Sequence, residues 1–312
     1  MPGSRAPVPR RSRSTGSARS SRAATANRTP RRKPHPCPAL RNARRHHHTA
    51  VTSRCPQGHR NLSREQIMKI TVIGAGAIGG NLAVKLSAAG HDVQVADARG
   101  PEAVRAEVLE SGARAVELAD AVQGRDVIVL SIPFGVAGQL ADLFASVPAE
   151  TVVIDTSNYY PGMLSEPIEA VDNGQVESVY TAELLGRPVV KAWNAALAET
   201  QRTKGVPAGT PGRLAIPVAG DSEEARKVAM SLVDDTGFDP YDAGTLADSW
   251  RQQPNSPAYC TELTLDELPA ALAAADRAKD AAIRDSLPER FAALGADPTV
   301  DDVVEMNRAA HR

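Results

Sequence analysis

Lys69-Ile-Thr-Val-Ile-Gly74-Ala-Gly76-Ala-Ile-Gly79-Gly80 is a short apolar strand that runs into a complete G-x-G-x-x-G turn and then into a helical pattern from Asn81 to Ala89. Each glycine has a separate task in such a turn. Gly74 must turn sharply, Gly76 must let the backbone approach a pyrophosphate, and Gly79 must let the helix pack closely on the strand. Free N–H groups at the helix start then face the anion. Gly74, Ala75, Gly76, Ala77, Ile78 and Gly79 are therefore the first candidate residues for holding a dinucleotide.

The surroundings of the turn agree with this reading. A second apolar run, Val93 to Ala96, ends at Asp97, which closes a strand–helix–strand unit over 69–97 and puts an acid 18 positions after Gly79. Further strand-like runs follow at Ala113 to Val116, Asp126 to Ile132, Val152 to Asp155 and Val189 to Trp193, several of them apolar without alternation. Helical patterns fall at 81–89, about 101–110, 117–122 and 135–146. Unalternating strands separated by helices predict an α/β fold, a doubly wound parallel sheet of Rossmann type with helices on both faces. Six strands suggest the order 3-2-1-4-5-6, with the ligand crevice at the carboxyl ends of strands one and four. Ser131-Ile132-Pro133-Phe134 would then lie opposite Gly76, against the nicotinamide side of the ligand, unless it is an ordinary strand-ending turn. Asp155-Thr-Ser-Asn158-Tyr159-Tyr160 and Lys191-Ala-Trp193-Asn194 end the next two strands at the same edge.

Charge divides the chain near residue 67. Residues 1–67 hold 16 Lys and Arg against one acid, Glu65, and no aromatic residue, whereas the remainder holds 20 basic and 36 acidic residues. The basic tail lacks the apolar surface needed to offset the entropy of ordering, so it is predicted to be disordered. Three readings compete for it: upstream sequence preceding a start at Met68, an arm for nucleic acid or an acidic partner, and a targeting peptide. The first is favoured, because Met68 directly precedes the first strand. A dinucleotide-binding domain is expected over 68–200, and a small C-terminal α/β part with a helical tail over 201–312. No run of 18 apolar residues is present. The folded part is expected to be cytoplasmic, to bind neither membrane nor nucleic acid, and to act on a small molecule or second coenzyme, with a homodimer left open. Cys37, Cys55 and Cys260 form no CxxC pair, and no metal site is expected.

Outside the tail the histidines are His91 and His311. Neither lies where a general acid or base is wanted, which argues against a histidine-based dehydrogenase, a Ser-His-Asp set or a metal cluster. Hydride transfer survives, because a nicotinamide brings its own reactive hydride and the protein need only position donor and acceptor. Asp97 suits a ribose 2'-hydroxyl, whereas Arg99 suits a 2'-phosphate or is a solvated surface charge.

The chain resembles the NADP-dependent oxidoreductase family of the deazaflavin coenzyme (factor 420). The resemblance rests on Lys69 to Gly79, Ala98-Arg99-Gly100-Pro101-Glu102, Ser131-Ile-Pro-Phe134, Asp155-Thr-Ser-Asn158 and Lys191-Ala-Trp-Asn194, and spans about 68–250. Its first domain is also similar to that of pyrroline-5-carboxylate reductases. The resemblance implies a nucleotide-binding α/β domain, NADP as cofactor with NAD kept open, Arg99 facing the 2'-phosphate, and a deazaflavin as co-substrate. Asp97 and Ala98 stand where relatives often have Ser or Asn. The leading expectation is hydride transfer between NADP(H) and a conjugated acceptor. A reductase of a small carbonyl or imine, with Tyr159, Tyr160 or Lys191 as proton donor, is the alternative. A third reading is a protein that senses NADP(H) without catalysis. Trp250-Arg-Gln-Gln253-Pro254 and Pro257-Ala-Tyr259-Cys260 either cover the acceptor or seal a core or a subunit contact.

Overall fold

The computed structural model describes residues 67–164 and 166–312. The readings of residues 1–66, including disorder and the tail's His and Cys residues, lie outside the described residues.

Six parallel strands form the main sheet: β1 Lys69–Ile73, β2 Asp92–Ala96, β3 Arg114–Ala115, β4 Val127–Leu130, β5 Val152–Asp155 and β6 Val190–Lys191, in the order β3-β2-β1-β4-β5-β6. This is the expected Rossmann-type α/β arrangement. Helices α1 Ala77–Ala88, α2 Ala106–Glu110, α3 Ala141–Phe144, α4 Glu169–Asp172, α5 Glu177–Leu185 and α6 Ala198–Thr203 connect or follow these strands. Strand β7 Ala215–Val218, helix α7 Glu223–Asp235 and strand β8 Asp239–Asp242 form a second, two-stranded parallel unit. Four helices end the chain: α8 Leu268–Ala273, α9 Arg277–Asp285, α10 Leu287–Ala293 and α11 Val300–Ala309.

Strand β4 shows why the sheet is doubly covered. Val127 and Val129 enter the core shared with Leu82 and Leu86 of α1, while Ile128 and Leu130 enter the opposite core with Leu140 and Phe144. All four strand side chains are fully buried, so consecutive apolar residues serve two faces. Burying each contributes about 1.5–3 kcal/mol. The two sheets meet at a single antiparallel bridge, where Lys191 N donates to Ala219 O at 2.7 Å and Ala219 N to Lys191 O at 3.0 Å.

Several helix bounds depart from the sequence reading. Helix α1 starts at Ala77 rather than Asn81, because Gly79 and Gly80, poor helix formers, are held helical by packing. The expected helix over 101–110 is broken by extended backbone at Val104 and Arg105 into a 3-10 turn, Pro101–Ala103, and α2. Likewise 117–122 contains only the 3-10 turn Leu118–Asp120, and 135–146 divides into a 3-10 segment, Ala137–Leu140, and α3. The sequence reading had no helix over Glu177–Leu185. Ser222 caps α7, with its side chain accepting from Ala225 N.

Candidate dinucleotide site and the buried charges beside it

The glycine turn meets three different steric demands. Gly74 has φ +105°, and a Cβ there would lie 2.0 Å from the Ser131 carbonyl oxygen. At Gly79 a Cβ would lie 2.0 Å from the Gly74 carbonyl oxygen and 3.1 Å from Val72 Cγ1. At Gly76 a Cβ would meet nothing within 4 Å. Gly74 and Gly79 are thus required by the fold itself, whereas Gly76 borders open space, the cradle that a phosphate needs. Gly76 is also the extended N-cap of α1, and neither a side-chain cap nor a first-turn acid occupies the helix start. Gly76 and Ala77 are exposed, Ile78 is half-buried and Ala75 is buried. These residues fit a pyrophosphate at the helix N-terminus.

Asp97, at the end of β2, draws the turn and the candidate ribose end together. Its carboxylate accepts from Ala75 N at 3.3 Å and Arg99 N at 3.1 Å, and from Arg99 Nε and Nη2 at 2.8 and 3.1 Å. The Arg99 side-chain hydrogen bond, outweighing burial, holds the Asp97 carboxyl down to about 2. The Asp97 side chain is 10% exposed and that of Arg99 72%.

Ser131 sits directly under the turn, its N–H donating to Ile73 O at 2.8 Å. Ile132 is half-buried and Pro133 exposed. The Phe134 ring is buried among aromatics, with centroids 5.8 Å from Tyr180 and 5.3 Å from Tyr159.

Asn158 belongs to a second polar cluster. It donates to Asn194 O at 3.0 Å and Tyr259 Oη at 3.2 Å, and accepts from Asn194 Nδ2 at 3.0 Å. Asn194 is joined in turn to Gln252, whose Nε2 donates to Asn194 Oδ1 at 3.0 Å. The hydroxyls of Tyr160 and Tyr259 lie 2.5 Å apart. The Asn194 segment then leads to Ala198, whose carbonyl accepts from Asn81 Nδ2 of α1 at 2.7 Å. Part of the 250–260 segment therefore lies against the strand-end residues. Trp250 instead stacks with Arg251 and Arg277, their guanidinium carbons 4.5 and 4.7 Å from its ring centre.

The three candidate proton donors are not equivalent. Lys191 is fully buried, with Nζ donating to the Ser157 carbonyl, 3.3 Å from Asp155 Oδ2 and 3.9 Å from Glu177 Oε2. Tyr159 is buried and donates to Asp172 at 2.9 Å. Tyr160 alone of the three is half-buried rather than buried, and burial keeps its phenol above the usual 10. His91 lies 3.0 Å from Asp235, and His311 is the penultimate residue.

Glu177 escaped the sequence reading. It is 1% exposed and begins α5, accepting from Gln253 Nε2 at 3.1 Å. Burial, partly opposed by Lys191, raises its carboxyl to about 7. Nothing local marks it, since a glutamate in a first helical turn ordinarily reads as a solvent-facing partner of the helix dipole.

Residues 69–159 match the family described as NADP oxidoreductase, coenzyme F420-dependent. The chain is 43% identical to protein YjhV of Escherichia coli (strain K12) over 104 residues, 33% of this chain and 76% of that protein. Its fold is similar to the crystal structure of the hypothetical protein SMa0349 from Sinorhizobium meliloti, with TM-score 0.55 and 30% identity over 65% of this chain and 98% of that one. Among the described residues no helix is long and apolar enough to cross a membrane. The chain belongs to the family described as NADP oxidoreductase, coenzyme F420-dependent, and is an NAD(P)-dependent oxidoreductase.

Proposed function

We propose that the protein passes a hydride between NADP(H) and a conjugated acceptor of the deazaflavin class. The observation that carries the NADP assignment is the Asp97–Arg99 pair. With Arg99 held on both carboxylate oxygens, the Asp97 charge is compensated, and the largely exposed guanidinium remains beside the end of β2 to meet a 2'-phosphate. Asp97 alone would repel that phosphate. The residues proposed to hold the dinucleotide are Gly74 to Gly79 at the pyrophosphate, Asp97 and Arg99 at the adenosine ribose, and Ser131 to Phe134 with Asn158 on the nicotinamide side. The nicotinamide supplies the hydride. The chain's part is to bind, orient and exclude water. A conjugated acceptor spreads the incoming charge, which suits a strand-end region where His91 and His311 play no part.

The half-buried Tyr160 favours a second reading, reduction of a small carbonyl or imine with its hydroxyl donating the proton and Tyr259 behind it. NADPH oxidation followed by absorbance with a deazaflavin, a flavin and a carbonyl and imine panel separates the two. Turnover with the deazaflavin is expected. Turnover with carbonyls or imines alone, abolished by Tyr160→Phe, would select the second reading. Tight NADPH binding with no acceptor reduced would refute both in favour of a nucleotide sensor.

A further inference from the structure

Helix α9 carries Arg277, Asp280, Ala281 and Arg284 on one stripe, three and four residues apart. That stripe lines a cavity of about 370 Å³, partly open to solvent and bordered by the turn after α4 and by the segment from Trp250 to Pro254. None of the residues assigned above to the dinucleotide lines it. Its volume lies in the ordinary range for small-molecule sites, roughly 300–1,000 Å³.

Each of the cavity's carboxylates is held by at least one donor, although Asp280 Oδ1 has no hydrogen-bond partner among the described residues. Asp172 accepts the Tyr159 hydroxyl at 2.9 Å, Asp280 accepts Asp276 N at 3.0 Å, and Glu177 is tied to Gln253 and faces Lys191. Its guanidiniums are less fully held. Arg277 donates to the Gly174 carbonyl at 3.0 Å and has no carboxylate in ion-pair reach among the described residues. Arg284 binds Asp285 through Nε and Nη2, both at 2.9 Å, and lies over the Tyr159 ring with its guanidinium carbon 5.5 Å from the ring centre, while Nη1 has no hydrogen-bond partner among the described residues. Arg251, stacked on the same indole as Arg277, adds a further positive charge and donates to the Leu272 carbonyl at 3.4 Å. Burial also raises the Asp280 carboxyl to about 6, so its negative charge is lightened only as pH falls toward that value.

We propose that this cavity binds a small organic acid bearing two anionic groups, one at Arg277 and the other at Arg284. The two positions are seven residues apart on α9, roughly 10 Å along the axis, so one small anion does not satisfy both. Planar guanidinium forks suit carboxylates in particular. The site stands independently of the cofactor assignment.

Isothermal titration calorimetry of the full chain without nucleotide, using succinate, glutarate, adipate and benzene-1,4-dicarboxylate against acetate and inorganic phosphate, tests this. At least one dicarboxylate is expected to bind, with Arg277→Ala and Arg284→Ala each weakening it by about tenfold or more, as for loss of a charge-assisted hydrogen bond. Thermal unfolding and NADPH affinity of both variants should match the parent, which separates lost binding from lost folding. Should Arg284→Ala fail to fold, the exposed Arg277→Ala decides alone. The proposal is overturned if no dicarboxylate binds, if acetate or phosphate binds as tightly, or if binding survives the loss of Arg277. Each outcome leaves the NADPH-oxidation assay unaffected.

Discussion

The two halves of the sheet's carboxyl edge are built on opposite principles. Beyond β1 the chain clears space: Gly76 and Ala77 are exposed, and the start of α1 is left without a side-chain cap. Beyond β5 and β6 it fills space with charge, placing Lys191 among Asp155, Ser157 and Glu177, all buried. An open edge holds a ligand by offering unsatisfied donors, whereas a closed edge must satisfy every group internally. Asp155 comes near to this, accepting from Ser157 N and Oγ, Ser178 Oγ and Lys191, whereas Glu177 Oε2 has only the Lys191 charge, 3.9 Å away, and no hydrogen bond.

The sharpest way to break this contrast is Lys191→Met, which leaves two buried carboxyls without their cation. It should cost about 3–5 kcal/mol in urea unfolding. A loss below about 1 kcal/mol would show that the cluster does not depend on the lysine. Next come the glycines. Gly79→Ala should destabilise by about 1–3 kcal/mol through clash and overpacking, whereas Gly76→Ala should leave the unfolding midpoint nearly unchanged and still weaken NADPH binding about tenfold or more. Equal effects of the two on stability would contradict their different surroundings. Arg99→Ala should weaken NADPH binding about tenfold or more and NADH binding far less; equal losses for both nucleotides would remove the 2'-phosphate role.

A further effect is a pH slope. Glu177 ordinarily titrates near 4.5 and is raised to about 7 in the folded chain. Between those values the native state holds the proton more tightly than the unfolded one, so this group's stabilisation is full below about 4.5 and is lost as pH rises through 7. Glu177→Gln should flatten that part of the stability profile. Asp97, held down to about 2, acts in the opposite sense, with its contribution lost as pH falls through that value.

The open edge could be read from sequence because its causes are local. Gly74, Gly76 and Gly79 lie within six residues, and Asp97 and Arg99 are two apart, so strand, turn, helix and acid are visible together. The sheet order followed from the alternation of apolar runs. The closed edge could not be read in the same way. Gln252 reaches Asn194 across 58 positions and Gln253 reaches Glu177 across 76, distances at which periodicity carries no information. The cluster from Trp250 to Gln253 stood out by composition, yet its division into a buried amide and an indole under two guanidiniums appears only in three dimensions. Helix α5 was hidden because its sequence, Glu-Ser-Val-Tyr-Thr-Ala-Glu-Leu-Leu, has three β-branched or aromatic residues in its first half and is held helical by packing rather than by propensity.

The bridge between Lys191 and Ala219 also bears on how the protein behaves among its own copies. A parallel sheet's outermost strands present unpaired peptide groups that another chain can extend. Here β6 is only two residues long, and Lys191 already exchanges both its N–H and its carbonyl with Ala219. At the far side β3 is equally short and carries the exposed Arg114. Both flanks of the sheet are therefore blunted against strand addition, so stacking of chains through this sheet is disfavoured at high concentration.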